Sequence, residues 1–240
     1  MAAVRPALRR ITLPALSQHT ATVIFVHGLG DTGHGWEPVA TMFRTDPQFA
    51  HIKWILPHSP IRPVTANMGI EMPSWFDIYS FGFNTDEDEK GMLESVSDIN
   101  ALIAEEVNSG LDPSRIILGG FSQGGTMSLL TGLTSERKLG GLVVLSGWLP
   151  LRNKFKTMAS RHAPSIPIFW GQGSDDTLVQ PKFASDSAEF VKKEIGTSVA
   201  SSQTSPNGLA FKMYRGLAHS ANDEELADLK AWIKNVLPTQ

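Results

Sequence analysis

Between Arg115 and Leu130 the chain reads RIILGGFSQGGTMSLL. A β-branched run, Ile116 to Leu118, meets two glycines. Phe121-Ser122-Gln123 follows, then two more glycines and a segment of good helix formers. Gly120, Ser122 and Gly124 thus fill the pattern GxSxG, with a strand expected before it and a helix after it. So sharp a turn requires side chains beside the serine to be nearly absent, which is why glycine stands two residues to either side. Ser122 would project its hydroxyl above the sheet, and the amides opening the helix can receive a developing oxyanion. A bare GxSxG is common by chance; the flanking strand and helix separate this one from an ordinary Gly-rich turn.

Strand-like runs recur along the chain, alternating with helical patterns. Ala21 to Val26, Ile52 to Leu56, Gly141 to Leu145 and Ile168 to Trp170 read as buried parallel strands, and Leu209 to Tyr214 as an alternating one. Helices are expected over Trp36 to Arg44, over the stretch bearing Leu93, Val96, Ile99, Ile103 and Val107, over Pro181 to Ile195, and after Asn222. The alternation predicts an α/β fold: a mostly parallel central sheet with helices on both faces. At 240 residues the chain suits one domain, expected over 21–240 behind an N-terminal arm, 1–20.

Composition narrows the function. Twenty-one basic residues stand against 24 acidic, so the basic footprint of a nucleic-acid binder is missing. Cysteine is absent, which removes disulfides, thiolate metal sites and a cysteine nucleophile together. Neither metal nor cofactor is expected. No apolar run approaches the ~18 residues needed to span a bilayer. Arg5, Arg9 and Arg10 precede the first acid, Asp31, a pattern shared with mitochondrial transit peptides. The preferred expectation is a surface arm on a cytoplasmic protein, with a nuclear pool as an extension and mitochondrial targeting as the minor alternative.

Three reactive residue types each fall just past a predicted strand, in the order Ser122, an acid at Asp175 or Asp176, and His219. A serine hydroxyl attacks only when a base removes its proton, and a carboxylate must fix the imidazole tautomer and stabilise the imidazolium. Among seven histidines, His27 reads as structural, and His34, His51, His58 and His162 lack the ordered strand-end context. The loop HGLGDTGHGW after the first strand offers exposed amides, with Leu29 the candidate second oxyanion donor. From His58 to Lys90 a long connection without regular structure is expected, of the kind that forms lids or binding loops. Its apolar residues Ile70, Met72, Trp75 and Phe76 either plug back into the core, the preferred reading for the two aromatics, or line a substrate channel.

The blocks FVHGLGDTGHGW, RPVTANMGIEMPSWFDI, RIILGGFSQGG, LSGWLPL and the closing AHS resemble the acyl-protein thioesterases, a branch of the phospholipase/carboxylesterase family of α/β-hydrolases. The resemblance runs from about Thr22 to Leu237. It implies a serine hydrolase that cleaves fatty-acyl thioesters from S-acylated, palmitoylated cysteines of proteins, with lysophospholipids or small esters as alternative substrates. Transient membrane contact goes with such partners. Residue by residue, it matches Ser122 to the nucleophile, His219 to the base and Asp176, before Leu178-Val179, to the acid; the amides of Leu29 and Gln123 match the oxyanion hole. Ile70, Met72, Trp75, Phe76, Leu178 and Val179 become candidates for the acyl-binding wall. One departure stands out: the family's HGD before the acid is here Gln172-Gly173-Ser174. A reading from another class is a non-catalytic binding protein on the same fold, but such proteins usually break the triad or oxyanion motif, and here neither is broken.

Overall fold

The computed structural model describes residues 7–80 and 86–239. Nine strands are present among them: β1 (Arg10–Leu13), β2 (Ala21–Val26), β3 (Ile52–Pro57), β4 (Ile61–Val64), β5 (Ile70–Pro73), β6 (Ile116–Phe121), β7 (Gly141–Leu145), β8 (Ile168–Gly173) and β9 (Leu209–Tyr214). Six α-helices accompany them: α1 (Gly33–Arg44), α2 (Glu89–Asn108), α3 (Gln123–Thr134), α4 (Arg152–Met158), α5 (Pro181–Phe190) and α6 (Asp223–Val236).

Seven strands form one sheet in the order β1-β3-β2-β6-β7-β8-β9, parallel throughout except for β1, which runs antiparallel to β3. Both faces are covered, so consecutive strand residues alternate between two cores instead of between core and water. Ile24, Leu118, Leu142 and Val144 face a core completed by Ile99 and Ile103 of α2 and by Met127 and Leu130 of α3. Val23, Ile117, Val143 and Leu145 face the opposite one, completed by Phe43 of α1 and by Leu229 and Trp232 of α6. This architecture is the expected α/β one.

Three local expectations are corrected. The boundary drawn at residue 21 does not separate an arm from the domain, because β1 extends the sheet, pairing Arg10 with Pro57 through Leu13 with Trp54. The arm's first residues, 1–6, where Arg5 falls, lie outside the described residues. The connection after β3 is not without regular structure, since β4 and β5 pair as an antiparallel ribbon. Pro63 and Pro73 lie within it, which a two-stranded ribbon tolerates because its outer edges need no amide donor. The stripe on α2 is broader than expected and shifted at its start: Ile99 and Ile103 are buried and Val96 and Val107 pack against the core, but Met92, Ser95, Leu102 and Glu106 are buried as well, while Leu93 is 42% exposed.

Candidate active site

The turn at Ser122 has the geometry the glycines announced. Ser122 lies at φ 53° and ψ −119°, outside the regions a serine ordinarily occupies. Its amide donates to the Leu145 carbonyl (2.7 Å), and its own carbonyl accepts from the Thr126 amide (3.0 Å), so both sides of the strained residue are anchored. A Cβ on Gly124 would overlap the Val26 carbonyl, and one on Gly120 would overlap the Gly124 backbone. Strand β6 can therefore turn into α3 against β2 only with glycine at both places.

Above this turn three chain-distant residues meet. His219 Nε2 lies 3.0 Å from Ser122 Oγ, and its Nδ1 lies 2.7 Å from Asp176 Oδ2. Facing a carboxylate, Nδ1 carries the proton, which leaves Nε2 to accept from the serine hydroxyl. Asp176 is fully buried at its side chain. Burial raises its pKa, but the hydrogen bond and charge of His219 and the amides of Val179 and Leu178 outweigh that and hold it below the usual carboxylate range. Both amides donate to Oδ1 at 2.9 Å. Asp175, the rival acid, is exposed and accepts from Ser174 Oγ (2.6 Å). The structure thus gathers Ser122, Asp176 and His219 and leaves Asp175 outside.

The loop after β2 runs alongside. A Cβ on Gly28 would lie 3.2 Å from Phe121 Cδ1 and 3.4 Å from Ser122 Cβ, so the loop passes within van der Waals reach of the nucleophile. Among the described residues neither the Leu29 amide nor the Gln123 amide has a hydrogen-bond acceptor, so both remain available to an incoming anion. His27 is buried and structural: Nδ1 faces the Gly28 carbonyl (2.7 Å) and Nε2 accepts from the Ser59 amide (3.0 Å). Desolvation lowers its pKa, in keeping with a neutral ring.

A cavity of about 1100 Å³ opens over Ser122 and His219. Of the six residues expected along an acyl wall, Phe76, Leu178 and Val179 line it; Ile70, Met72 and Trp75 do not. Ile70 is 55% exposed on β5, Met72 packs from the ribbon against the core, and Trp75 is fully buried beside His27. Apolarity alone could not sort them, because ribbon, core and cavity all draw on the same residue types. Trp148 and Met92 also line the cavity; only the crossing of the two segments in space reveals a shared surface. Two buried glutamines were also missed as side chains. Gln172 Nε2 donates to Asp176 Oδ2 (3.2 Å) and to the Val179 carbonyl (2.9 Å), and Gln123 grips the segment 74–76. Among the described residues no group of three or more His, Asp or Glu is placed to hold a metal ion.

A mostly parallel, helix-covered sheet with serine, acid and histidine at its strand ends defines a serine hydrolase of the α/β-hydrolase type. Residues 10–237 match the family model described as Phospholipase/Carboxylesterase, and the chain belongs to that family. It is similar to an acyl-protein thioesterase 1 of Cryptococcus neoformans, 45% identical over 96% of this chain and 98% of the relative. Among solved structures, Arabidopsis thaliana SOBER1 superposes with a TM-score of 0.81 at 33% identity, covering 91% of this chain and 99% of that one. Acyl-protein thioesterase 2 of Zea mays gives 0.81 at 27% identity, covering 95% and 99%.

Proposed function

We propose that this chain removes fatty-acyl groups from S-acylated cysteines of proteins. The observation that carries the reading is the continuous relay Ser122–His219–Asp176 opening into a large, partly apolar cavity; the thioesterase names of its relatives agree with it. Ser122 attacks the thioester carbonyl while His219 takes its proton, and Asp176 holds the imidazole in the productive tautomer. The Leu29 and Gln123 amides receive the negative charge that develops on the carbonyl oxygen. His219 then passes the proton to the departing sulfur, leaving the acyl group on Ser122 Oγ; it next takes a proton from water, whose oxygen attacks the acyl carbonyl, and returns that proton to Oγ as the fatty acid leaves.

The leaving thiol has a pKa of ~8.5, so protonating it matters less than for an alkoxide, and oxyanion stabilisation carries more of the barrier. Phe76, Leu178 and Val179 offer the acyl chain an apolar wall, at ~0.8 kcal/mol per buried methylene.

The test is a fluorophosphonate label followed by a substrate panel. Label on Ser122, lost in Ser122→Ala, is expected, with kcat/KM higher for a palmitoylated peptide than for a lysophospholipid or a short ester. Absence of label in folded protein refutes the hydrolase assignment. A preference for the lysophospholipid or the short ester refutes the thioesterase assignment alone.

A further inference from the structure

Gln123 is fully buried, although it directly follows the half-buried Ser122. Its amide side chain directs its hydrogen bonds to one short segment. Oε1 accepts from the Trp75 amide (2.8 Å), and Nε2 donates to the Phe76 carbonyl (2.8 Å) and to Ser74 Oγ (3.0 Å). Segment 73–76 in turn holds the loop that carries Leu29. The Pro73 carbonyl accepts from the Gly30 amide (2.8 Å), and the Trp75 indole Nε1 donates to the His27 carbonyl (3.0 Å). Those two bonds bracket Leu29: they hold the 27–28 and 29–30 peptides, on either side of the one that carries its amide.

Resting on the serine-hydrolase reading above, we propose that the Gln123 side chain is a positioning residue for the oxyanion hole. Its own amide supplies one donor from the α3 terminus. Through segment 73–76 its side chain sets where the other donor, Leu29, stands. The two donors come from different elements, the loop after β2 and the start of α3, and must converge on one oxygen to within a fraction of an ångström. A buried primary amide suits this role because it donates and accepts in one plane, and so fixes both the distance and the orientation of the segment it grips. Glutamate, its closest isostere, has no N–H for Ser74 and Phe76.

The two ends of the strap can be cut separately. Gln123→Met removes the grip while keeping length and burial, and Trp75→Phe removes the indole donor to His27, along with some buried volume, while leaving the backbone groups that Gln123 holds. Each is expected to lower kcat by about tenfold to a hundredfold, short of the ~10²–10³ seen when a hole donor is deleted outright, with KM within about twofold. Affinity for a fatty trifluoromethyl ketone, whose adduct places an oxyanion in the hole, should fall in parallel. Because both changes break one strap, the double variant should lose little more than the worse single one. A merely structural role predicts lowered thermal stability with kcat per folded molecule and ketone affinity unchanged, and that result overturns the proposal, as does full additivity. If Gln123→Met does not fold, Trp75→Phe alone decides by the same kcat, KM and ketone readouts. An inert unsubstituted protein removes the hydrolase reading and this one together; an active one with fully active variants removes this one alone.

Discussion

Asp175 and Asp176 are adjacent in sequence and opposite in environment. Asp176 has four donors converging on its two oxygens, from His219, Gln172, Leu178 and Val179; Asp175 faces water. Asp176→Asn should therefore lower kcat by ~10³–10⁴-fold by disturbing the histidine tautomer, while Asp175→Asn leaves steady-state kinetics within about twofold of the parent, since surface groups couple weakly. Glu225 presents a second contrast. It is fully buried in the first turn of α6, and neither carboxylate oxygen has a hydrogen-bond partner. Desolvation, with Asp228 adding repulsion, pushes its pKa up to about 8. The folded state therefore holds a proton that the unfolded chain gives up near the ordinary glutamate range, and stability falls as pH rises between that range and about 8, by at most ~1.4 kcal/mol per pH unit. Glu225→Gln, neutral at every pH, should flatten the dependence of Tm on pH across this window and raise Tm at pH 8.

At the level of single elements, helix α2 tests how far a hydrophobic stripe can be trusted. Leu93, Val96, Ile99, Ile103 and Val107 have the right spacing, but Ser95 and Glu106 sit on the buried face because each has a partner there. Ser95 Oγ donates to the Trp75 carbonyl, and Glu106 accepts from Thr22 Oγ1 and Lys53 Nζ (both 2.6 Å). A polar residue with a buried partner is invisible to a polarity pattern. Ile99→Ala should cost ~2–5 kcal/mol in urea unfolding, and Leu93→Ala less than ~0.5 kcal/mol. The parallel strands β2, β3 and β6 to β9 were legible because most residues in them are apolar, as burial on both faces demands. The β4–β5 ribbon was not: its prolines and exposed Ile61, Met68 and Ile70 obey neither periodicity.

Across the whole molecule, the catalytic constellation was readable for a topological reason. A parallel sheet places successive strand ends on one edge, so residues just past β6, β8 and β9 had to come near one another whatever their distance in sequence. The acid was settled only by comparison with a family pattern and then by geometry, because spacing cannot say which of two neighbouring carboxylates turns inward. Cavity and straps depend on segments crossing in space, which a linear reading does not contain. The sheet also reaches further toward the N-terminus than the apolar runs suggested. Arg10–Leu13 is half-exposed and alternating, as an edge strand is, and it caps β3. Deleting residues 1–13 should lower Tm and promote concentration-dependent association through the bared β3 edge, measurable by light scattering; a dispensable arm would leave both unchanged.

Strand β9, which delivers His219, is the last in the sheet and has β8 alone beside it along most of its length. Ser122, by contrast, hangs from β6, with β2 on one side and β7 on the other. Border strands open by local fluctuation more cheaply than interior ones. Base and nucleophile are thus mounted on parts of unequal durability, and amide exchange should be faster in β9 than in β6. On gentle warming the hydrolase would fall silent while most of its backbone is still protected, and on cooling it would recover without refolding from the start.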